Sequence, residues 1–228
     1  MNSTVYYIDE RKHSASQELA HFLRICIANV CRPWNELVFL CIGSDRVTGD
    51  SLGPFIGYQL EKHAPRSFSV YGTLEDPVHA LNLAEVLDKI KRKHPRALIV
   101  AVDASLGSRK HLGFISVGTG SIRPGAGVKK ELPDIGDVFI TGIVNLSGSF
   151  EHLLLSTTRL SLVVSMADAI TAGILQIFPE RLRGTQTRPV LIPHTPEPEG
   201  RRLCCANDCA CAALREEDSS SKGSGIAF

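Results

Sequence analysis

Two aspartates, each reached through an apolar run, are the residues in this chain best placed to do chemistry. The first lies in LVFLCIGSDRVTGDSLGP (37–54), where the run Leu37–Ile42 stops at Gly43 and a polar loop leads to Asp50. The second ends ALIVAVD (97–103), at Asp103. Each alone would serve as an ordinary helix cap or strand-end turn. Taken as buried strands of one parallel sheet, both runs open on the same sheet edge, where ligands of open α/β proteins bind. Two carboxyl groups close together cannot both ionise easily, so one pKa rises and the pair shares a proton. Such a pair can activate water with one member and protonate or polarise a carbonyl with the other.

The surrounding residues define a candidate cleft. Gly43 and Gly49 allow positive φ or close backbone approach, and the loop between them offers N–H groups near a helix start for an anion or a carbonyl oxygen. Ser44 and Asp45 belong to the same loop, with Asp45 and Arg46 read as a solvated local pair. The loop lacks the G-x-G-x-x-G order and the chain has no G-K-[ST], which weighs against nucleotide binding. Without G-x-S-x-G, Ser51 and Ser105 do not suggest a serine mechanism. His63, His79, His94, His111 and His152 have no evident partner and are read as surface residues. Arg123 is a candidate for holding a substrate, and Asp134 and Asp137 are read as turn residues.

Several elements must position these groups. Leu19, Phe22, Leu23, Cys26, Ile27 and Val30 recur at helical spacing, so a helix is expected over 13–31. Strands are expected at 37–42, 68–71, 97–103, 113–117 and 138–145, and helices at 52–62, 77–93 and 150–178. Pro54 suits a first helical turn. The basic cluster Lys89, Lys91, Arg92 and Lys93 suits a helix end. Residues 1–12 are expected at the periphery. The Gly/Pro-rich stretch 118–137 is long for a structureless loop, which marks it as a functional candidate. Alternating strands and helices imply a three-layer α/β/α sandwich with a mostly parallel sheet and one antiparallel strand. The organisation expected is a 1–36 segment with its helix, a 37–180 α/β domain, and a Pro-, Cys- and Ser-rich, extended or disordered tail over 181–228.

Composition sets further bounds. The 228 residues carry 25 Lys+Arg against 24 Asp+Glu, so charge gives no reason to expect nucleic acid or an acidic membrane as partner. No apolar run reaches the roughly 18 residues of a membrane span, and the start shows no secretory pattern. A cytoplasmic protein is expected. Cys26, Cys31 and Cys41 are read as small hydrophobes. Cys204, Cys205, Cys209 and Cys211 follow C-C-x3-C-x-C, which lacks paired C-x2-C knuckles, so no metal and no cofactor is assigned.

GSDRVTGDSLGP, VDASLG and SVGTGSIRPGAGVKKELPDIGD with TGIVN, in that order, resemble the YyaC-type sporulation proteins, and the match runs from about Leu37 to Phe178. Those proteins are similar to the spore germination protease that degrades small acid-soluble spore proteins. The resemblance implies a phosphorylase/hydrolase-like fold, shared with hydrogenase maturation peptidases. It also implies Asp50 and Asp103 as the functional acids, and a PGAGV segment near them, here with Gly125 and Gly127. The implied activity is aspartic-type endopeptidase action on small spore proteins in the sporulating cell or spore interior, with homo-oligomerisation left open. The chain is shorter than the germination protease and shows no clear self-processing segment. This motivates an alternative: a non-catalytic sporulation binding or assembly protein on the same fold. A nickel-dependent maturation peptidase ranks third, because no metal-binding histidine can be assigned.

Overall fold

A computed structural model describes residues 4–63, 67–124 and 133–178. Six strands form one sheet: β1 (Val5–Asp9), β2 (Glu36–Cys41), β3 (Ser69–Tyr71), β4 (Ala97–Gly107), β5 (Phe114–Thr119) and β6 (Val138–Leu146), in the order β1-β5-β6-β4-β2-β3. The pairings β2–β3, β2–β4 and β4–β6 are parallel; β1–β5 and β5–β6 are antiparallel. The sheet is therefore mixed rather than mostly parallel. The one antiparallel strand expected beside the 118–137 stretch is β5; what the expectation lacked is β1, an edge strand whose pairing with β5 is also antiparallel.

Strand alternation divides the core between two faces. Leu37, Phe39 and Cys41 of β2 join Leu98, Val100 and Val102 of β4 in one cluster. The buried sides of α1 (Ala15–Ala28), α2 (Leu52–His63) and α5 (Leu160–Leu175) pack there, including Leu19, Leu23, Ile56, Leu60, Met166 and Ile170. Val38, Leu40 and Ile42 face the other way, with Ala97 and Ala101, and meet Leu83 and Ile90 of α3 (Leu83–Lys93). Ile135 completes this second cluster; its backbone pairs with that of Ile122, so part of the 118–137 stretch lies on this face of the sheet.

Some boundaries moved for identifiable reasons. The helix expected from residue 77 begins only at Leu83, because Val78 first bridges Ile42 in parallel fashion and Asn82 bonds back to residues 77 and 79. Leu81, counted on its apolar stripe, is 82% exposed. The long helix expected over 150–178 is two: α4 (Glu151–Ser156) and α5. The Thr157 and Thr158 hydroxyls donate to the Leu153 and Leu154 carbonyls, and Asn145 Nδ2 donates to Leu154 O at 2.7 Å, so the backbone is offered alternatives to continuing the helix. Cys26 and Cys41 are buried, with burial pushing the Cys26 thiol up to about 11, whereas Cys31 is exposed. Asp137 is more than a turn residue. It pairs with Arg32 and accepts the Ile99 N–H at 2.9 Å, tying the start of β6 to that of β4. The tail from residue 181, with its four cysteines, lies outside the described residues.

The first turn of α2 sits directly on the end of β2. A Cβ at Gly53 would lie 2.0 Å from the Ile42 carbonyl oxygen, a backbone atom that cannot swing aside. Gly53→Ala is expected to destabilise the protein by at least about 2 kcal/mol, in the upper part of the overpacking range. Urea unfolding checks this. A midpoint equal to wild type would show that α2 is not seated as described.

Candidate functional site

The site begins where β2 ends. Its pairing with β4 finishes at Cys41 and Val102, and the Ile42 N–H still reaches Val102 O at 2.7 Å. At Gly43 the backbone turns with φ +142°, a region L-residues avoid, and a Cβ there would stand 2.0 Å from the Asp50 carbonyl oxygen. The loop then closes on itself. Gly43 N–H donates to Val78 O (2.8 Å), Ser44 N–H to Asp50 O (3.2 Å) and Ser51 N–H to Val47 O (2.9 Å), while Ser51 Oγ donates to Thr48 O (2.7 Å). Gly49 N–H donates to Leu155 O (2.9 Å), docking the loop on the end of α4.

Asp103 is not at a strand end, as the sequence suggested, but inside β4, opposite Thr141 of β6. It comes one residue after the last β2 pairing. Because β2 has already turned away, the carboxyl group has space that a fully paired strand would have filled. The chain leaves β2 through α2 toward β3 at one edge, whereas β4 leads to β5 and β6 on its other side. Neighbouring parallel strands that diverge in this way open a crevice beyond their carboxyl ends.

That crevice is a cavity of about 550 Å³ with both Asp50 and Asp103 in its wall. Most of the rest is apolar, including Ile42, Val47, Ala80, Leu106 and Leu155. Asp103 is 8% exposed, and its Oδ1 accepts the N–H of Ala104 at 2.8 Å. Its carboxyl is held well above the usual aspartate range, first by burial and then by the negative charge of Asp50, with the Ala104 N–H pulling the other way. Burial also raises Asp50, but the Ser44 N–H and the nearby His152 and His79 imidazoles oppose the rise. The two acids are thus electrostatically coupled and unequal: the proton favours Asp103, the charge Asp50.

Of the other expected site residues, Gly43, Ser44 and Asp45 line the cavity. Gly49 does not; it is the contact that seats the loop on α4, where a Cβ would come within 2.8 Å of Thr158 Oγ1. Arg123 is also outside the lining. It is exposed and paired with Asp134 at 3.0 Å, and its neighbour Pro124 reaches the cavity instead. Gly125 and Gly127 lie outside the described residues. Asp45 and Arg46 both line the cavity, and no ion pair joins them. The N–H groups of Gly43, Ser44 and Gly49 are taken by carbonyls and that of Arg46 by Ser44 Oγ, so these four do not form the anion cradle the loop suggested.

Two residues read as surface histidines belong to the site. His79 comes from the segment that bridges β2 at Val78, and His152 from α4. Neither lies near Asp50 or Asp103 in sequence, so spacing carried no signal. His152 is exposed as expected, whereas His94 is not a surface residue: it is buried, bonded to Tyr71 and Glu36. Among the described residues no group of three or more His, Cys, Asp or Glu side chains is placed to hold a metal ion. Among them also, no helix is long and apolar enough to cross a membrane.

The fold and site define a mixed α/β protein with a coupled carboxyl pair in an apolar crevice at the carboxyl ends of its parallel strands. A family model described as "Protein of unknown function (DUF1256)" matches residues 6–173, and the chain belongs to that family. It is 48% identical over 138 residues to the uncharacterized protein YyaC of Bacillus subtilis (strain 168), an alignment covering 60% of this chain and 67% of that protein.

The raised Asp103 pKa has a definite consequence for stability. Between the unfolded-state value, about 3.9, and the higher folded value, the native state binds the proton more tightly, so this group's contribution to stability falls as pH rises through that window. Asparagine cannot ionise and its side-chain oxygen can still accept the Ala104 N–H. Asp103→Asn is therefore expected to melt at higher temperature than wild type at pH 7, with the difference shrinking toward pH 4. Thermal melts across that range check it; a variant less stable than wild type at pH 7 and equal at pH 4 would contradict the burial of this charge.

Proposed function

We propose that this protein is an aspartic-type endopeptidase on a three-layer α/β/α, phosphorylase/hydrolase-like fold, working in the cytoplasm of a sporulating cell or in the spore interior on small acid-soluble spore proteins. The reading rests on one observation: two electrostatically coupled carboxyl groups share an apolar cavity and are held at unequal proton affinity.

The chemistry follows from that inequality. Asp50, the member favoured as an anion, accepts a proton from a water molecule as its oxygen attacks the amide carbonyl carbon. Asp103, the protonated member, gives its proton to the carbonyl oxygen, producing a neutral tetrahedral diol. As the diol collapses, the C–N bond breaks, the amide nitrogen takes the proton held on Asp50, and Asp103 recovers its own from the hydroxyl that becomes the new carboxyl group. The apolar wall excludes water and strengthens each of these interactions. It also suits a substrate that presents an apolar side chain beside the scissile bond.

Purified protein incubated with small acid-soluble spore proteins is expected to release discrete fragments. Asp50→Asn and Asp103→Asn should each lower the rate at least about 10³-fold, by analogy with removing one member of a catalytic unit. Cleavage that survives both substitutions together would end the assignment.

The alternative, a non-catalytic sporulation binding or assembly protein, is favoured by the apolar residues at and near the cavity mouth. Leu81 is 82% exposed, and Phe150 and Leu153, which bracket His152, are 74% and 60% exposed. A partner captured from sporulating cells, bound equally by wild type and the double Asp→Asn variant and never cleaved, would select this reading over hydrolysis.

A further inference from the structure

We propose that His79 is the hydrogen-bond donor that holds a carbonyl oxygen of the ligand in the acid cavity; its catalytic meaning rests on the peptidase reading, whereas the binding claim is tested by itself. In the proposed hydrolysis Asp103 donates to one lone pair of the carbonyl oxygen, and an N–H directed at the second would hold that oxygen in place. Several backbone donors around the cavity are already engaged. The N–H groups of Gly43, Ser44 and Gly49 bond to Val78 O, Asp50 O and Leu155 O, that of Arg46 to Ser44 Oγ, and that of Ala104 to Asp103 itself.

His79 is built to supply the donor. It follows Val78, which bridges Ile42 and accepts the Gly43 N–H, so it is fixed beside the loop that carries Asp50. Its backbone is clamped on both sides. Its N–H donates to Asn82 Oδ1 at 2.8 Å, and its carbonyl accepts from Asn82 N (3.1 Å) and Leu83 N (2.9 Å). Asn82 Nδ2 donates to Pro77 O at 3.0 Å, closing the turn. The ring is oriented as well. Leu81 N–H donates to His79 Nδ1 at 3.3 Å, so in the neutral imidazole the proton resides on Nε2. Among the described residues nothing else bonds to the ring, and the residue forms part of the cavity wall. The Nε2–H can donate to a carbonyl oxygen placed in the cavity. No proton leaves His79 during the reaction.

The probe is N-acetyl-leucine methylamide, which offers two amide carbonyls beside an apolar side chain, titrated into the full chain labelled with ¹⁵N-histidine. In the free protein, His79 is expected to show the Nε2–H tautomer. Addition of the amide should move its Nε2 and Hε2 resonances. His79→Ala should weaken binding about tenfold, the size of one neutral hydrogen bond, while His79→Gln, which retains a side-chain N–H, should recover most of it. Thermal melts establish that both variants are folded, and if His79→Ala is not, His79→Gln with the wild-type resonances carries the test. An Nδ1–H tautomer, unmoved His79 resonances while Leu155 methyls shift, equal affinity in His79→Ala, or no binding to wild type would each overturn the inference. Fragments released from spore proteins by wild type would uphold the peptidase reading in any of these cases. Conversely, His79-dependent amide binding by a protein that cleaves nothing would overturn hydrolysis and leave the donor in place.

Discussion

The burial of two carboxyl groups in one apolar cavity constrains the rest of this structure. An isolated carboxylate removed from water costs more than a domain of this size has to spare, since net stability is only about 5–15 kcal/mol. The pair is tolerated because burial and the Asp50 charge make Asp103 hold a proton more tightly than a free aspartate, while the Ser44 backbone and the imidazoles of His152 and His79 oppose the rise at Asp50. Each arrangement requires a particular piece of backbone. Asp103 needs a strand whose neighbour has stopped, and Asp50 needs a loop folded back over that stopping point.

Glycines make both possible. Gly43 turns β2 away from β4 in a conformation an L-residue would resist, and lets the Asp50 carbonyl come within the distance a Cβ would occupy. Gly53 seats α2 on the Ile42 carbonyl. The loop thus hangs between two fixed points, the strand end and the helix start, while the Gly49 contact to α4 adds a third. The same contact explains how α4, short and half exposed, places His152 and Leu155 in the cavity wall. Site and fold are not separable here: the break between α4 and α5, the Asn145 side chain that helps cause it, and the docking of the 43–50 loop form one connected set of hydrogen bonds.

The mixed sheet places the site toward one side of the molecule. Parallel pairing is confined to β2, β3, β4 and β6, and the crevice lies where β2 and β4 diverge. β5 and β1 extend the far edge and bury Ile8, Ile115 and Val117 against α1 and α5, which provides core without contributing to the cavity lining. At the opposite ends of the parallel strands, Arg32 and Asp137 tie the starts of β4 and β6 together. Rigidity at that end leaves the carboxyl ends to carry the loops.

What the sequence determined by itself was the local pattern. Unbroken apolar runs at 37–42 and 97–103, and the recurring stripe from Leu19 to Ile27, specify buried strands and an amphipathic helix whatever surrounds them, because period and burial are properties of the chain alone. The two acids were legible for the same reason: a carboxylate that ends an apolar run is conspicuous. Tertiary structure alone decided which groups meet them. His79 and His152 stand 29 and 102 residues after Asp50 in the chain and reach it only through a β-bridge and a docked helix. Arg123, equally plausible from sequence, is turned to Asp134 instead. An antiparallel strand was legible from the break in alternation at 118–137, whereas the edge strand β1 was not, since its short run finds a partner only when β5 is placed beside it. And Asp103 proved to lie inside its strand, because a strand's functional end is set by where its neighbour stops, which its own residues do not encode.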